Sequence, residues 1–190
     1  MKGAVYVITH DVGTTGNKSC IYRIDERIEM VDSCIVEYPL YSLPDGGVEQ
    51  MAGDWWSAIT LATRTIMKRS RLKASQVSGM AFCAQMQGSI FVDEKGEPLR
   101  NPMSYLDGRA TEQIARYLYN GLIKIEGKWN ALITLQSLWI TGGLAATAKD
   151  PLWKYHWVKD HEPEVFRRAC KWLDVKDYLI HRCTGCFGMT

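Results

Sequence analysis

The feature that most constrains this chain is its opening. Residues Ala4 to Thr9 are continuously apolar or β-branched, as expected of a strand covered on both faces. The run breaks at Asp11-Val12-Gly13-Thr14-Thr15-Gly16-Asn17. It resumes as Lys18-Ser19-Cys20-Ile21-Tyr22-Arg23-Ile24, where Cys20, Tyr22 and Ile24 recur with period two. The pattern predicts a β-hairpin. A polar turn at Asp25 to Arg27 and a third strand within Ile28 to Tyr38 complete a meander.

Beyond a loop from Pro39 to Gly53, Asp54 is the expected N-cap of a helix that buries Trp55, Ile59, Ala62 and Ile66. Short strands are expected at Val77 to Cys83 and Ser89 to Val92, with a polar turn at Asp93 to Glu97 before the apolar run Pro102 to Leu106. From Thr111 onward the spacing is helical, through Ile114, Tyr117, Leu118 and Leu122, and again over Leu152 to Lys159 and Pro163 to Ala169. Strands and helices in this order predict an α/β fold.

Acids and bases are mixed along the 190 residues, and the net charge of +2 leaves no basic stripe for nucleic acid. The stretch from Trp129 to Ala148 carries no charge and has the length of a membrane span, but polar residues and Gly142-Gly143 interrupt it. A buried helix ending in a Gly-Gly turn is expected there, and no membrane association. The six cysteines are irregularly spaced and no secretory leader precedes them, so a reducing, cytoplasmic setting is expected. Cys183 and Cys186 form a lone CxxC that reads either as half a zinc or redox site or as two unrelated thiols.

The first turn carries the chemistry. Gly13 permits close backbone approach, Thr14 and Thr15 add hydroxyl donors and Lys18 a cation, all beside the carboxylate of Asp11. This set suits a phosphate with its magnesium, because a carboxylate beside a bare phosphate would repel it. A tight hairpin with no ligand is the alternative. A P-loop is excluded, since Asn17 separates Gly16 from Lys18 and a strand, not a helix, follows.

Asp11-Val12-Gly13-Thr14-Thr15-Gly16-Asn17-Lys18 resembles the opening turn of the FGGY family of carbohydrate kinases. Gly47-Val48-Glu49-Gln50 with Asp54-Trp55-Trp56 continues the likeness. Gln85-Met86-Gln87-Gly88, Tyr105-Leu106-Asp107-Gly108-Arg109 and Lys176-Asp177-Tyr178-Leu179 are similar to its xylulokinase-like branch. The resemblance implies a ribonuclease H-like, actin-like ATPase fold, with a mixed sheet flanked by helices. It implies that Asp11, Gly13, Thr14, Thr15 and Lys18 face ATP, with Asp11 toward Mg2+. It also implies that Gln85, Met86, Gln87 and Tyr105 lie at the sugar, with Asp107 and Arg109 lining or bracing that site. For Met86 a core thioether is the competing reading.

Three positions depart from the family pattern: Gln87 stands for histidine, Tyr105 for tryptophan and His10 for an apolar residue. The four histidines show no metal-ligand spacing and read as structural or surface residues. The resemblance also implies that residues 1–190 are an incomplete N-terminal, sugar-binding domain. The catalytic aspartate and a second, ATP-binding domain would lie in the rest of a longer kinase, so that no catalytic residue stands on this chain. The isolated chain is expected to be inactive, to expose apolar surface and to self-associate, with a homodimer among the expected states. A non-catalytic sugar- or partner-binding fragment is the alternative.

Overall fold

The computed structural model describes residues 4–188. In chain order the elements are β1 (Val5–Val12), β2 (Gly16–Ile24), β3 (Ile28–Glu37), β4 (Tyr41–Ser42), β5 (Val48–Glu49), α1 (Ala52–Ser70), β6 (Val77–Ala84) and β7 (Ile90–Val92). There follow α2 (Thr111–Ile114), β8 (Lys124–Ile125), β9 (Trp129–Asn130), α3 (Ala131–Thr141), α4 (Pro151–His161), α5 (Pro163–Arg168), β10 (Lys171–Leu173) and α6 (Val175–Thr184). They form two compact units. One takes the chain through Leu40, Gln50–Met86 and the chain from Asp174, and the other takes Tyr41–Glu49 and Gln87–Leu173.

The first unit is built on a four-stranded sheet of order β3-β2-β1-β6, antiparallel except for the parallel pair β1 and β6. The expected hairpin and meander are present, and β1 runs three residues beyond Thr9 to Val12. Helix α1 packs on β2 and β3 and buries Trp55, Ile59, Ala62 and Ile66, as their spacing predicts. Ile66 joins Ile8 and Ile21 in a core cluster, each side chain contributing about 1.5–3 kcal/mol by burial. The N-cap of α1 is Met51, with no side-chain hydrogen bond, and not Asp54. Asp54 lies in the first turn, where the positive end of the helix dipole favours a carboxylate. Arg71, in the left-handed region at φ 59°, ends the helix. Helix α6 starts on Asp174, whose carboxylate accepts the Val175 N–H at 2.7 Å. It packs along β6 and sets Tyr178 edge-on to Trp55 at 6.3 Å between ring centres.

His10 is 1% exposed, within β1. Its Nδ1 lies 2.8 Å from the Ser19 hydroxyl, which also accepts from Asn17 Nδ2 at 2.9 Å, and its ring stacks on Phe82 at 5.0 Å. The polar residue in this apolar position is therefore a core histidine partnered through Nδ1, while its buried Nε2 has no hydrogen-bond partner among the described residues.

The second unit is assembled from short pieces. β4 pairs with β5, β7 with β10 and β8 with β9, all antiparallel. Phe91, Met103 and Val158 form one core cluster, while Ala110, Ile114, Leu118 and Trp153 form another. The run Pro102 to Leu106 forms no strand of its own; Met103 alone bridges to Glu49 and to Ser89. The helix begun at Thr111 passes into a π-helical turn over Ala115–Tyr119 and stops, leaving Leu122 exposed where continued helical spacing would have buried it. The uncharged segment does form a helix, α3, closed by Gly142 at φ 71°, but it is not a buried one: Leu132, Leu135, Trp139 and Ile140 all face outward. Among the described residues no helix is long and apolar enough to cross a membrane. The six cysteines are free thiols.

Burial lowers the pKa of His10 from 6.5 to about 4. Between those values the unfolded chain binds a proton that the folded chain excludes, so His10 opposes unfolding fully above pH 6.5 and loses that effect as pH falls toward 4. The loss is about 3 kcal/mol. Urea midpoints measured from pH 7 to pH 4 should fall in this window, and His10→Phe should flatten that part of the profile.

Candidate functional site

The turn between β1 and β2 is held by its carbonyls. The Tyr38 hydroxyl donates to Gly13 O at 2.6 Å and to Gly16 O at 3.1 Å, Gln50 Nε2 donates to Thr14 O at 2.8 Å, and Tyr38 N–H donates to Thr15 O at 3.1 Å. Burial, and then the charge of Asp11, raises the pKa of Tyr38, so its hydroxyl remains a donor. Every carbonyl from Gly13 to Gly16 is thereby engaged. The N–H groups of Thr14 and Thr15 have no hydrogen-bond partner among the described residues. Peptide dipoles oriented with carbonyls tied back and N–H groups free are the requirement for an anion cradle.

Asp11 and Lys18 face each other in register across the hairpin, and both are exposed. The two glycines differ in what they require. A Cβ on Gly16 would stand 3.1 Å from Val36 O, so this residue is small because β3 passes close. A Cβ on Gly13 would meet only Gly16 O, in ordinary contact at 3.4 Å, so the space above it is open for something other than protein.

Gln85 continues β6 past the hairpin. Its N–H donates to Val12 O at 2.9 Å and its Nε2 to Gln50 Oε1 at 2.5 Å, so Gln50 connects the turn to Gln85. Gln85 Oε1 is buried and meets no donor among the described residues. Met86 is 76% exposed, which rules out the core-thioether reading.

In the second unit, Gln87 holds a left-handed backbone at φ 62°, a conformation that costs a non-glycine residue about 1–3 kcal/mol. Its carbonyl is held by Lys154 Nζ at 2.9 Å, and the same ammonium donates to Ser104 O at 2.7 Å. Lys154 is fully buried, so one cation clamps the segments that carry Gln87 and Tyr105. Gln87 Nε2 lies 3.4 Å from Asp150 Oδ1, and Tyr105 is half-buried.

Asp107 and Arg109 are engaged in bracing. Asp107 has no exposed surface; it accepts from the Val48 N–H at 2.9 Å and from Arg109 Nη2 at 2.7 Å. Arg109 also donates to Glu49 at 2.7 Å and lies 4.4 Å over the Trp157 ring. Arg100 closes the network, donating to Glu49 at 2.5 Å and pairing with Glu162 at 2.8 Å. Burial disfavours the charge of Arg109, but the hydrogen bonds to Asp107 and Glu49 outweigh it and raise its pKa. Gly47 is required by the same packing, because a Cβ there would come within 2.7 Å of the guanidinium.

Sequence reasoning assigned no role to Tyr38, Gln50, Glu49 or Lys154. Glu49 and Gln50 stood in the Val-Glu-Gln likeness, which was the available signal; Tyr38 and Lys154 offered none. Among the described residues there is no group of three or more histidine, cysteine, aspartate or glutamate residues able to hold a metal.

Removing one member of a buried ion network leaves its partners uncompensated, whereas an exposed pair contributes little. Arg109→Ala is therefore expected to lower unfolding free energy in urea by about 3–5 kcal/mol. Arg69→Ala, which breaks the exposed pair with Asp32, should cost under about 1 kcal/mol.

Residues 6–190 match the family model described as the FGGY family of carbohydrate kinases, N-terminal domain. A xylulose kinase of Bacillus subtilis (strain 168) is 28% identical over 180 residues, which are 95% of this chain and 33% of that protein. Among solved structures, a gluconate kinase from Lactobacillus acidophilus aligns with a TM-score of 0.78 and 26% identity over 97% of this chain and 34% of its own. A xylulose kinase from Brucella ovis shares the fold, with a TM-score of 0.77 and 23% identity over 93% of this chain and 34% of its own. The chain thus spans about a third of the length of these relatives. The fold is the actin-like ATPase fold with its mixed, helix-flanked sheet, and the chain belongs to the FGGY family of carbohydrate kinases.

Proposed function

We propose that this chain is the sugar-binding domain of a longer kinase that transfers the γ-phosphoryl group of ATP to a hydroxyl of a ketose or related polyol, with xylulose as the first candidate. The observation that carries the reading is the hairpin turn whose carbonyls are tied back while the Thr14 and Thr15 amides stay free beside exposed Asp11 and Lys18. These residues fit a nucleotide phosphate with magnesium. The open space above Gly13 admits a phosphate oxygen, Lys18 supplies a cation, and Asp11 would hold the metal through one carboxylate, with phosphate oxygens and water completing its shell. ATP bound with magnesium would supply the transferable phosphoryl group and neutralise its charge.

The chain's own residues orient the reactants. Gln85, with an unengaged amide oxygen, Met86, Gln87 and Tyr105 would be the residues that meet the sugar. Asp107 and Arg109, tied to Val48 and Glu49, would brace the sugar site. An amide at Gln87 cannot change charge near neutral pH, so sugar binding through it would be insensitive to pH. The base that accepts the hydroxyl proton, and the adenine site, would be supplied by the remainder of the longer protein.

The test is coupled ADP detection with the longer protein over a panel of ketoses and polyols. Sugar-dependent turnover is expected, strongest with a ketose, and Asp11→Asn should lower kcat on the order of 100-fold with little change in sugar KM. The purified 190-residue chain should release no sugar-dependent ADP. Turnover indifferent to every sugar would overturn the kinase reading, and robust activity of the short chain would overturn the division of labour.

A further inference from the structure

We propose that Lys154 and Asp150, four residues apart at the start of α4, are positioning residues for sugar recognition, a reading that rests on the sugar-facing role proposed above for Gln87 and Tyr105. Lys154 fixes the backbone of Gln87. Asp150 fixes its amide, so that Oε1 is the acceptor presented to a sugar hydroxyl.

Ser89 and Met103 exchange both backbone hydrogen bonds, at 3.0 and 3.1 Å, in an antiparallel bridge. Continued by two residues, that register would set Gln87 opposite Tyr105. The ladder stops there, because Gln87 turns into the left-handed region at φ 62°, which a pleated strand cannot accommodate. The Lys154 ammonium takes over, donating to Gln87 O at 2.9 Å and to Ser104 O at 2.7 Å. Four residues on, Val158 is buried with Phe91 and Met103, so the same side of α4 is anchored on both segments. A fully buried ammonium is stable only while hydrogen-bonded, so it and the two carbonyls hold one another in place.

Glycine adopts a positive φ without steric cost, and one stands next in the chain at Gly88. A glutamine kept in that conformation is there for its side chain. An amide can turn about its last bond and exchange a donor for an acceptor, and Asp150 removes this freedom. Thr147 donates to Asp150 Oδ2 through its N–H at 2.8 Å and its hydroxyl at 3.0 Å, which fixes the carboxylate. The other oxygen, Oδ1, lies 3.4 Å from Gln87 Nε2. The contact is long, but choosing between the two ends of an amide needs only a difference, and the turned amide would set oxygen against carboxylate. Gln87 Oε1 is left without a donor among the described residues, open to accept from a hydroxyl.

Two measurements test this. In the longer protein, Asp150→Ala and Gln87→Ala should each raise sugar KM on the order of 10-fold, with kcat and ATP KM changed less than about two-fold. The double variant should be no worse than either single one, because Asp150 acts through Gln87. Lys154→Met should raise sugar KM at least as much; its urea midpoint is the folding control, and the Asp150 cycle decides if it does not fold. In the 190-residue protein, the three-bond HN–Hα coupling of Gln87 should report the left-handed φ in the wild type and lose it in Lys154→Met. Additive effects of Asp150→Ala and Gln87→Ala would overturn the proposal, as would an unchanged sugar KM or an unchanged coupling in folded Lys154→Met. Absence of sugar turnover in the wild type would sink the kinase reading and the sugar half of the proposal with it, an outcome recognisable because the coupling would still change in Lys154→Met.

Discussion

One phenol hydroxyl organises the first unit. Tyr38 stands at the end of β3 and reaches back to two carbonyls of the turn that begins β2, while its own N–H takes a third. With Gln50 on the fourth, the peptide planes of the turn are set before any ligand arrives. Preorganised dipoles need no reorientation when they meet charge, which is why such turns serve anions well. Asp11 adds the opposite sign at the same place, the combination that the proposed metal-bound phosphate would need.

The second unit solves a different problem with buried charge. Its strands are two or three residues long and cannot order long connections by ladder bonds alone. Glu49, Arg100, Asp107 and Arg109 replace a ladder, joining the β4–β5 hairpin to the segment from Arg100 to Arg109. Lys154 does the same for Gln87 and Ser104. Such networks gain little net energy, because desolvation offsets attraction, but they tolerate few alternative arrangements.

The strands around the first turn were legible in the sequence because their apolar residues obey a simple period and are bounded by turn residues. The same holds for the buried stripe of α1. Asp54 misled as a cap because its residue type suits two positions, N-cap and first turn, and the choice depends on how far upstream the backbone turns helical. In α3, absence of charge was read as burial, although hydrophobicity reports only preference for apolar surroundings and cannot say whether those come from the same chain. The supporting residues were illegible for a plainer reason. Tyr38 lies 25 positions from Gly13, Gln50 lies 36 from Thr14, and Lys154 lies 67 from Gln87. No local pattern reports such pairings.

The first unit is made from three separated stretches of chain, the last of which is α6. Tyr178 and Leu179 of that helix are buried, and α6 is the partner of β6. A ribosome delivers this helix well over a hundred residues after β1. The sheet must therefore wait through most of synthesis with its β6 side uncovered, while the second unit, continuous from Gln87 to Leu173 apart from one hairpin, emerges in between. Contacts of such long sequence separation are slow to close, and apolar strands left open meanwhile invite chaperones or wrong partners. The order of birth of these segments sets a kinetic demand that the finished structure no longer displays.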